Sequence, residues 1–456
     1  MEKINTIVIF DVGKTNKKLL LFDENYKLEL EESKLFSETK DEDGFACEDV
    51  QALTQWIKDS VHQLLKDRRY EIKAVNFSAY GASFVHLDEQ QNIILPLYNY
   101  LKPYDPELQR QFYDKYGGES LLSKQTASPV LGNLNSGMQL YRLKYDKPVE
   151  FARIKYALHL PQYLSYILSS NPVSEMTSIG CHTCLWDFQN DQYHPWVQQE
   201  GIQKKLAPIF NGETIAGYWR EKLPVGVGLH DSSAALIPYL LEFQEPFILL
   251  STGTWCISLN PFNQTQLNDF ELSQDCLCYL SYRKRPVKAS RLFAGFEHEM
   301  AIKKLAVHFN KPLDYYSGIE FNARYVESLQ NRDYPVQNPG KFAMPPFSNF
   351  DSRNLTDHET YEEAYHQFVF DLVSRQVSST KLVMQGESVR KIFVDGGFSK
   401  NSIFMHLLAS AFPGMEVYAA TVPQASALGA ALSIHTHWNN QKLPSEMIKR
   451  RIYTKT

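Results

Sequence analysis

The sequence predicts an α/β protein built from two copies of one β-hairpin-led module that face each other across a cleft. Two stretches carry the prediction. Val8–Phe22, VIFDVGKTNKKLLLF, holds two apolar runs separated by a short polar interval, which reads as strand, tight turn, strand. Phe247–Phe262, FILLSTGTWCISLNPF, repeats that grammar: an apolar strand ends in a small or acidic residue, a glycine turn carries a hydroxyl, and a second strand leaves. Set side by side, Asp11 falls on Ser251, Gly13 on Gly253 and Thr15 on Trp255.

Helix and strand signals follow each hairpin. After the first come an amphipathic stretch from Asp49 to Asp67 and the strand-like IKAVNFSAYG. After the second come helical stretches from Arg291 to Val307 and from Glu359 to Met384, then the strand KIFVDGG. Leu240–Pro246, LLEFQEP, is the expected boundary, dividing residues 1–243 from 244–456. At 456 residues the chain is too long for one ordinary core and suits two domains.

Composition narrows the class of partner. A hydrophobic fraction of 43% is that of a globular protein, and a formal charge of -5 argues against nucleic acid or an anionic membrane as the main partner. The opening MEKINTIVIFDVG has too short an apolar run for a signal peptide, and no later segment approaches the roughly 18 apolar residues of a membrane span. A soluble, cytoplasmic protein, monomeric or homodimeric, is expected. Six cysteines do not make a disulfide framework in this length. Cys181 and Cys184 in CHTC lack a second ligand pair at suitable spacing, so a structural zinc is not expected.

The letters GKT at Gly13–Thr15 invite comparison with a P-loop. That loop needs a glycine five positions before the Gly-Lys pair, to let backbone N–H groups curl around phosphates, and then a helix. Here the position is Val8, inside an apolar strand, and a second strand follows. The turn itself is therefore the feature of interest. Two glycine turns meeting at one cleft would present N–H groups to a phosphate, with Thr15, Thr252 and Thr254 adding hydroxyls. Ordinary hairpin turns of Gly-Thr type are the alternative. The duplication, with Asp11 closing the first strand, favours the phosphate clamp.

A third glycine element, VDGGFSKN at Val394–Asn401, ends a strand in Gly396-Gly397 and starts a helix near Asn401. Bare backbone there suits a flat nucleotide, and the helix N-terminus favours negative charge. It lacks G-x-G-x-x-G, so a dinucleotide site is not indicated. Downstream, Ala425, Ala427 and Gly429 in VPQASALGAALSIH read as tight core packing.

His230-Asp231, in VGVGLHDSSAALIPYL, stands after a glycine-rich loop and before a helical run. Asp231 suits a helix N-cap. The same position suits an acid that takes the proton of a substrate hydroxyl as it attacks a γ-phosphate, and the two roles are compatible. His230 either orients a sugar hydroxyl or satisfies a loop carbonyl. The basic run Tyr282–Pro286 reads as a solvated loop, and the aromatic segments around Trp186 and Trp196 as core and lid packing.

These segments together resemble the FGGY carbohydrate kinases, in the superfamily of actin, hexokinase and the Hsp70 ATPase domain, and among them the L-rhamnulose kinases. DVGKTNKK is similar to the family's first phosphate loop, GLHDSSAAL to the rhamnulokinase Gly-x-His-Asp-Thr segment, and STGTW to its Ser-Gly-Thr-Trp loop. VDGGFSKNSIFMHLLASAFPGMEVYAATVPQASALGAA follows its adenosine segment. The resemblance spans the chain and implies two RNase H-like, actin/hexokinase-like ATPase domains around a central cleft. It implies ATP and Mg²⁺ as cofactors, with Asp231 as catalytic base and Asp11 holding Mg²⁺ through water. Gly13, Lys14, Thr15, Asn16, Lys17, Lys18, Gly253, Thr254, Gly396, Gly397 and Asn401 would line the ATP site. Gly81, Ser83, His230, Asp231 and Ser232 would meet the sugar.

The sugar half departs from the pattern. Tyr80 stands where the rhamnulokinases have Trp, and Ser78 and Ser83 where they have Asp. The wider family's Trp-x-Asp-x-Arg reads here Tyr98-Asn99-Tyr100-Leu101-Lys102, and a substrate-contacting Asn becomes Gly295. The implied function is ATP-dependent phosphorylation of a ketose at O1, a 6-deoxy-L-ketose such as L-rhamnulose or L-fuculose first. A kinase for L-xylulose, ribulose or a polyol is the nearest alternative, and a non-catalytic sugar or nucleotide sensor or an uncoupled ATPase the others.

Overall fold

The computed structural model describes residues 3–333, 350, 353–384, 389–422 and 424–454. In its first half, β1 (Ile4–Val12) and β2 (Lys17–Asp23) form the expected antiparallel hairpin, with β3 (Leu28–Lys34) beyond β2. Helix α1 (Val50–Lys66) follows, then β4 (Tyr70–Ala79), which pairs parallel to β1. Asp49 starts α1 by accepting the Ala52 N–H at 2.9 Å, a cap whose loss costs about 1 kcal/mol. Val50, Leu53, Trp56, Ile57, Val61 and Leu64 lie on one buried stripe, and the Trp56 ring meets Phe10 edge-on at 5.1 Å. The sheet is completed by β5 (Ile215–Trp219), β6 (Leu223–Gly226) and the short β7 (Leu229–His230), in the order β5-β6-β4-β1-β2-β3 with β7 also on β4. Helix α2 (Asp231–Ala235) leaves β7 directly.

The second half repeats the plan. β8 (Phe247–Thr252) and β9 (Cys256–Asn260) form a hairpin, followed by β10 (Cys276–Leu280), β11 (Pro286–Leu292), α3 (Ala294–His308) and α4 (Tyr361–Leu382). Then come β12 (Lys391–Gly396), α5 (Ser402–Ala411), β13 (Glu416–Thr421), α6 (Ala425–Ser433) and β14 (Lys449–Tyr453). The order is β10-β11-β9-β8-β12-β13-β14. In both sheets the first strand pairs antiparallel to its hairpin partner and parallel to a strand reached through helix, which is the duplicated topology the sequence predicts.

Two sequence expectations need correction. Arg291 and Leu292 belong to β11 and not to a helix, because Pro286–Leu292 pairs on both edges, with β9 and β10; the helix starts at Ala294. Asp231 is the first helical residue, and His230 occupies the cap position without a side-chain cap bond.

The strand period of two divides β1 between two cores. Val8, Phe10 and Val12 pack with α1, whereas Ile7 and Ile9 share a core with Leu249, Phe393, Ala427 and Ala430 of the second half. The halves meet where α6 crosses α2. An ideal Cβ on Gly429 would sit 1.9 Å from the Ala234 carbonyl oxygen, so glycine alone admits this approach. A mainly helical insertion between β4 and β5 has its own core around Phe84, Tyr98, Phe112 and Trp196. Trp196 is fully buried and its indole N–H donates to the Cys184 carbonyl at 2.8 Å. Among the described residues no helix is long and apolar enough to cross a membrane.

Candidate active site

The first glycine turn spans Gly13 to Asn16 and is closed by Gly13 N–H on the Asn16 carbonyl at 2.9 Å. Thr15 and Asn16 are exposed at its tip. Its lysines diverge, because residues alternate in direction along β2. Lys17 is buried, and its Nζ is held by Glu48 at 3.0 Å and the Lys14 carbonyl at 2.9 Å. Lys14 lies 3.4 Å from Glu48 and over the Tyr80 ring, while Lys18 reaches Glu31 at 3.0 Å and Gln424 at 2.9 Å. Lys17 is thus directed to Glu48, and Lys14 and Lys18 are the lysines of the turn with partly exposed side chains.

The second turn is one residue shorter. Gly253 N–H meets the Trp255 carbonyl at 2.9 Å, so Gly13 and Gly253 correspond, while Trp255 takes the place of Asn16 rather than Thr15. The backbone of α3 presses on this turn: an ideal Cβ on Gly295 would lie 1.9 Å from the Gly253 carbonyl oxygen. That contact explains the departure at Gly295, since an Asn there would not fit this backbone.

The third glycine element joins the second turn. Thr252 Oγ accepts the Phe398 N–H at 3.0 Å and donates to the Asp395 carbonyl at 2.5 Å. Gly396 has φ +89° and an ideal Cβ there would fall 2.0 Å from the Thr252 carbonyl oxygen; beside Gly397 the space is open. A cavity of about 600 Å³ opens here, lined by Gly253, Gly295, His298, Tyr316, Gly397 and Asn401 among others. Asn401, one of its lining residues, is held in place: its Oδ1 caps α5 by accepting the Phe404 N–H at 2.9 Å, and its Nδ2 donates to the Tyr365 hydroxyl at 2.7 Å. Burial lowers His298 to a pKa of about 4, so it meets the cavity as a neutral imidazole.

Two acids stand between the halves. Asp11, at the end of β1, accepts a hydrogen bond from Ser426 of α6 at 2.9 Å. Burial raises its pKa to about 6, opposed by the Ser426 hydroxyl and reinforced by the nearby charge of Asp231. Asp231 remains about a third exposed, and its Oδ1 accepts the Ser232 N–H at 2.6 Å. A buried carboxylate whose charge is further disfavoured by a neighbouring acid is a setting for a divalent cation, and Mg²⁺ needs only one or two carboxylates when phosphates complete its shell. The residues present therefore fit that ion.

Of the expected sugar contacts, His230 and Ser232 adjoin Asp231 and Gly81 lies under His230, whereas Ser83 is turned to Tyr98. His230 Nε2 sits 3.3 Å from Asp231 Oδ1 and 3.4 Å from Cys181 Sγ, and its ring covers Gly81, whose ideal Cβ would touch it at 3.0 Å. Burial lowers the His230 pKa. His230 Nδ1 and the Tyr80 hydroxyl are buried without a hydrogen-bond partner among the described residues. Tyr279 packs edge-on to His230, and Tyr100 feels the Asp231 charge. Ser232 Oγ stays with Asp231 Oδ1 at 3.3 Å, and buried Ser83 donates to the Tyr98 carbonyl at 3.4 Å. Lys102 is drawn away by Asp41 at 2.7 Å and Asp43 at 2.5 Å.

The sequence reading missed Tyr279 and Ser426, which arrive from the second half, and treated Cys181 only as a metal ligand. A polar residue after a glycine-free turn carries no local mark of such a role. The two hairpin modules also trade their polar pair: Asp11 faces Ser78 across β1 and β4, whereas Ser251 faces Asp395 across β8 and β12.

Two α/β modules of one topology, each opened by a glycine hairpin, give the actin- and hexokinase-like ATPase fold; the nucleotide-sized cavity is lined by second-half residues alone, from Thr252 to Ser402, and the Gly13–Asn16 turn is not among them. Solved structures agree. A carbohydrate kinase from Novosphingobium aromaticivorans superposes with a TM-score of 0.77 at 22% identity, covering 100% of this chain and 95% of that one. A ligand-bound xylulose kinase from Lactobacillus acidophilus gives 0.79 at 15% identity, covering 99% and 94%. Residues 6–236 match the FGGY family of carbohydrate kinases, N-terminal domain, and residues 244–442 match Carbohydrate kinase FGGY, C-terminal domain. The chain belongs to the FGGY family of carbohydrate kinases. Among curated relatives, a rhamnulokinase from Oceanobacillus iheyensis is 23% identical over 275 residues, 56% of each chain, so the match spans about half the length of that relative. A probable L-xylulose kinase from Pasteurella multocida is 24% identical over 455 residues, 94% of this chain and 90% of that one.

Proposed function

We propose that this protein transfers the γ-phosphoryl group of Mg·ATP to a hydroxyl of a neutral ketose, with Asp231 as the base. The observation that carries the reading is the Asp231 carboxylate, about a third exposed, at the start of α2, beside Asp11 and at the junction of the two halves. As the sugar oxygen attacks phosphorus in line, the bond from phosphorus to the β-bridging oxygen breaks and the hydroxyl proton passes to Asp231. The turn residues Gly13–Asn16 and Lys18 and the pair Gly253-Thr254, with Gly396, Gly397 and Asn401, hold ATP; Lys17, committed to Glu48, braces the turn, and Asp11 would hold Mg²⁺ through water. When bound, Mg²⁺ neutralises charge on the β- and γ-phosphates. Residues 1–243 carry the base and the sugar contacts Gly81, Ser83, His230 and Ser232, and residues 244–456 the adenosine site. The cytoplasm supplies the ATP this reading requires.

Electrostatics support a neutral acceptor. Three cations are already matched: Lys14 over the Tyr80 ring by Glu48, Arg291 near Tyr279 by Asp275 in two bonds, and Lys102 beside Tyr98 by Asp41 and Asp43. A sugar acid would find no uncommitted cation among these three. We place a 6-deoxy-L-ketose first, phosphorylated at O1, because the rhamnulokinase relatives match and because the tyrosine-rich wall of Tyr80, Tyr100 and Tyr279 suits an apolar methyl end. L-Xylulose is the second reading, favoured by the longer alignment with the Pasteurella protein. Coupled ADP release with Mg·ATP and L-rhamnulose, L-fuculose, L- and D-xylulose, L-ribulose and glycerol tests both. Saturable turnover on one 6-deoxy-ketose supports the first reading, turnover on L-xylulose the second, and sugar-indifferent ATP hydrolysis or none sinks the kinase.

A further inference from the structure

We propose that Glu175 and Thr177 form a positioning relay that fixes the backbone of His230 and so aims the Asp231 carboxylate; the proposal rests on the reading of Asp231 as base. Glu175 is fully buried on the short strand Ser174–Glu175, which pairs parallel with Ile209–Phe210. Its Oε2 accepts two hydrogen bonds from one residue: the Thr177 N–H at 2.9 Å and the Thr177 hydroxyl at 2.5 Å. A threonine hydroxyl has one proton, and giving it to Glu175 leaves an oxygen lone pair free. That oxygen accepts the His230 N–H at 2.9 Å. The chain thus runs from a buried carboxyl through a hydroxyl to the amide one residue before Asp231.

Each link has little else to do. His230 occupies the cap position of α2, where N–H groups have no intrahelical acceptor, and its own side chain makes no cap bond. Thr177 Oγ supplies the missing acceptor from outside the helix. Glu175 Oε1 has no hydrogen-bond partner among the described residues, and Oε2 is directed at both the N–H and the hydroxyl of Thr177. The simpler role for Glu175 is to cap the single turn Met176–Ile179 through the Thr177 N–H. That role does not require a hydroxyl at position 177, and this separates the two explanations. A base held within a few tenths of an ångström of its proton gains most from such bracing.

The test substitutes Thr177→Val, which keeps shape and the Glu175 cap bond but removes the hydroxyl, and Thr177→Ser, which restores it. The expected result is a kcat lowered about tenfold or more in the valine variant, with the KM for ATP within about twofold and the serine variant near the parent rate. Hydrogen exchange of the His230 amide should speed up in the valine variant and recover with serine. Parental kcat in Thr177→Val, or serine as impaired as valine, overturns the relay. If valine folds poorly, Thr177→Ala makes the same comparison with serine. If the parent protein releases no ADP with any sugar, the kinase reading fails instead, and the His230 amide decides the relay: unchanged exchange in Thr177→Val overturns it, and faster exchange rescued by serine upholds it.

Discussion

Ser426 Oγ donates to Asp11 Oδ2 at 2.9 Å, tying the last long helix of the second half to the acid that ends the first strand. The bond crosses the cleft at the point where Mg²⁺ is proposed to sit. Asp11→Asn should leave folding intact, since it removes a carboxylate that burial already disfavours. It should lower kcat by about 10² or more and raise the Mg²⁺ concentration needed for half-maximal rate. A Mg²⁺ titration beside a thermal melt checks both; unchanged Mg²⁺ dependence would remove Asp11 from the metal site.

Asp231→Asn keeps the shape of the α2 start and an oxygen to accept the Ser232 N–H. ATP binding and the melting temperature should therefore match the parent, while kcat falls by about 10² to 10⁴, the range for loss of a general base. Steady-state kinetics with a nucleotide-binding isotherm decides it, and a parental kcat would dismiss the base.

Gly295→Ala should damage the nucleotide site from outside it. The added methyl has the Gly253 carbonyl oxygen at 1.9 Å and must push the second glycine turn and α3 apart. Overpacking of this kind costs about 1–3 kcal/mol, and the displaced turn should raise the KM for ATP more than that for sugar. Equal changes in both constants would mean the turn does not touch ATP.

Stability should fall as pH rises from about 4.5 to about 8 because of Glu175. Burial raises its carboxyl from 4.5 to about 8, so between those values the folded state holds a proton that the unfolded chain has released. The contribution is complete below about 4.5 and is lost as pH rises through about 8, with each unit worth about 1.4 kcal/mol. Glu175→Gln, which has no proton to release, should flatten this part of the profile. Urea unfolding at pH 5 and pH 8 compares them, and parallel profiles would show that Glu175 is charged in the fold.

The duplicated plan was legible because it is written in local patterns. The runs TIVIF and LLLF, the hairpin FILLSTGTW, the amphipathic helix beginning at Asp49 and the Gly396-Gly397 crossing each act through neighbours a few residues away, and each formed the element expected. The helix assigned across Arg291 failed for the converse reason: its strand is stabilised by β9 and β10, partners that periodicity does not see. The same holds for Lys17, whose neighbours in sequence suggest a phosphate ligand but whose position on β2 turns it to Glu48, 31 residues away.

By itself, then, the sequence determined the α/β class, the repeat, the glycine turns and the acids Asp11 and Asp231, all consequences of hydrophobic period and of residues that force a turn or a helix start. Tertiary structure alone decided which lysines stay available, why Gly295 replaces a larger residue, and that Ser426 meets Asp11 while Tyr279 and Thr177 meet His230, the neighbour of Asp231. Those outcomes depend on contacts between segments as many as 415 residues apart, where distance in space is set by how two sheets and their crossing helices pack and not by any spacing along the chain.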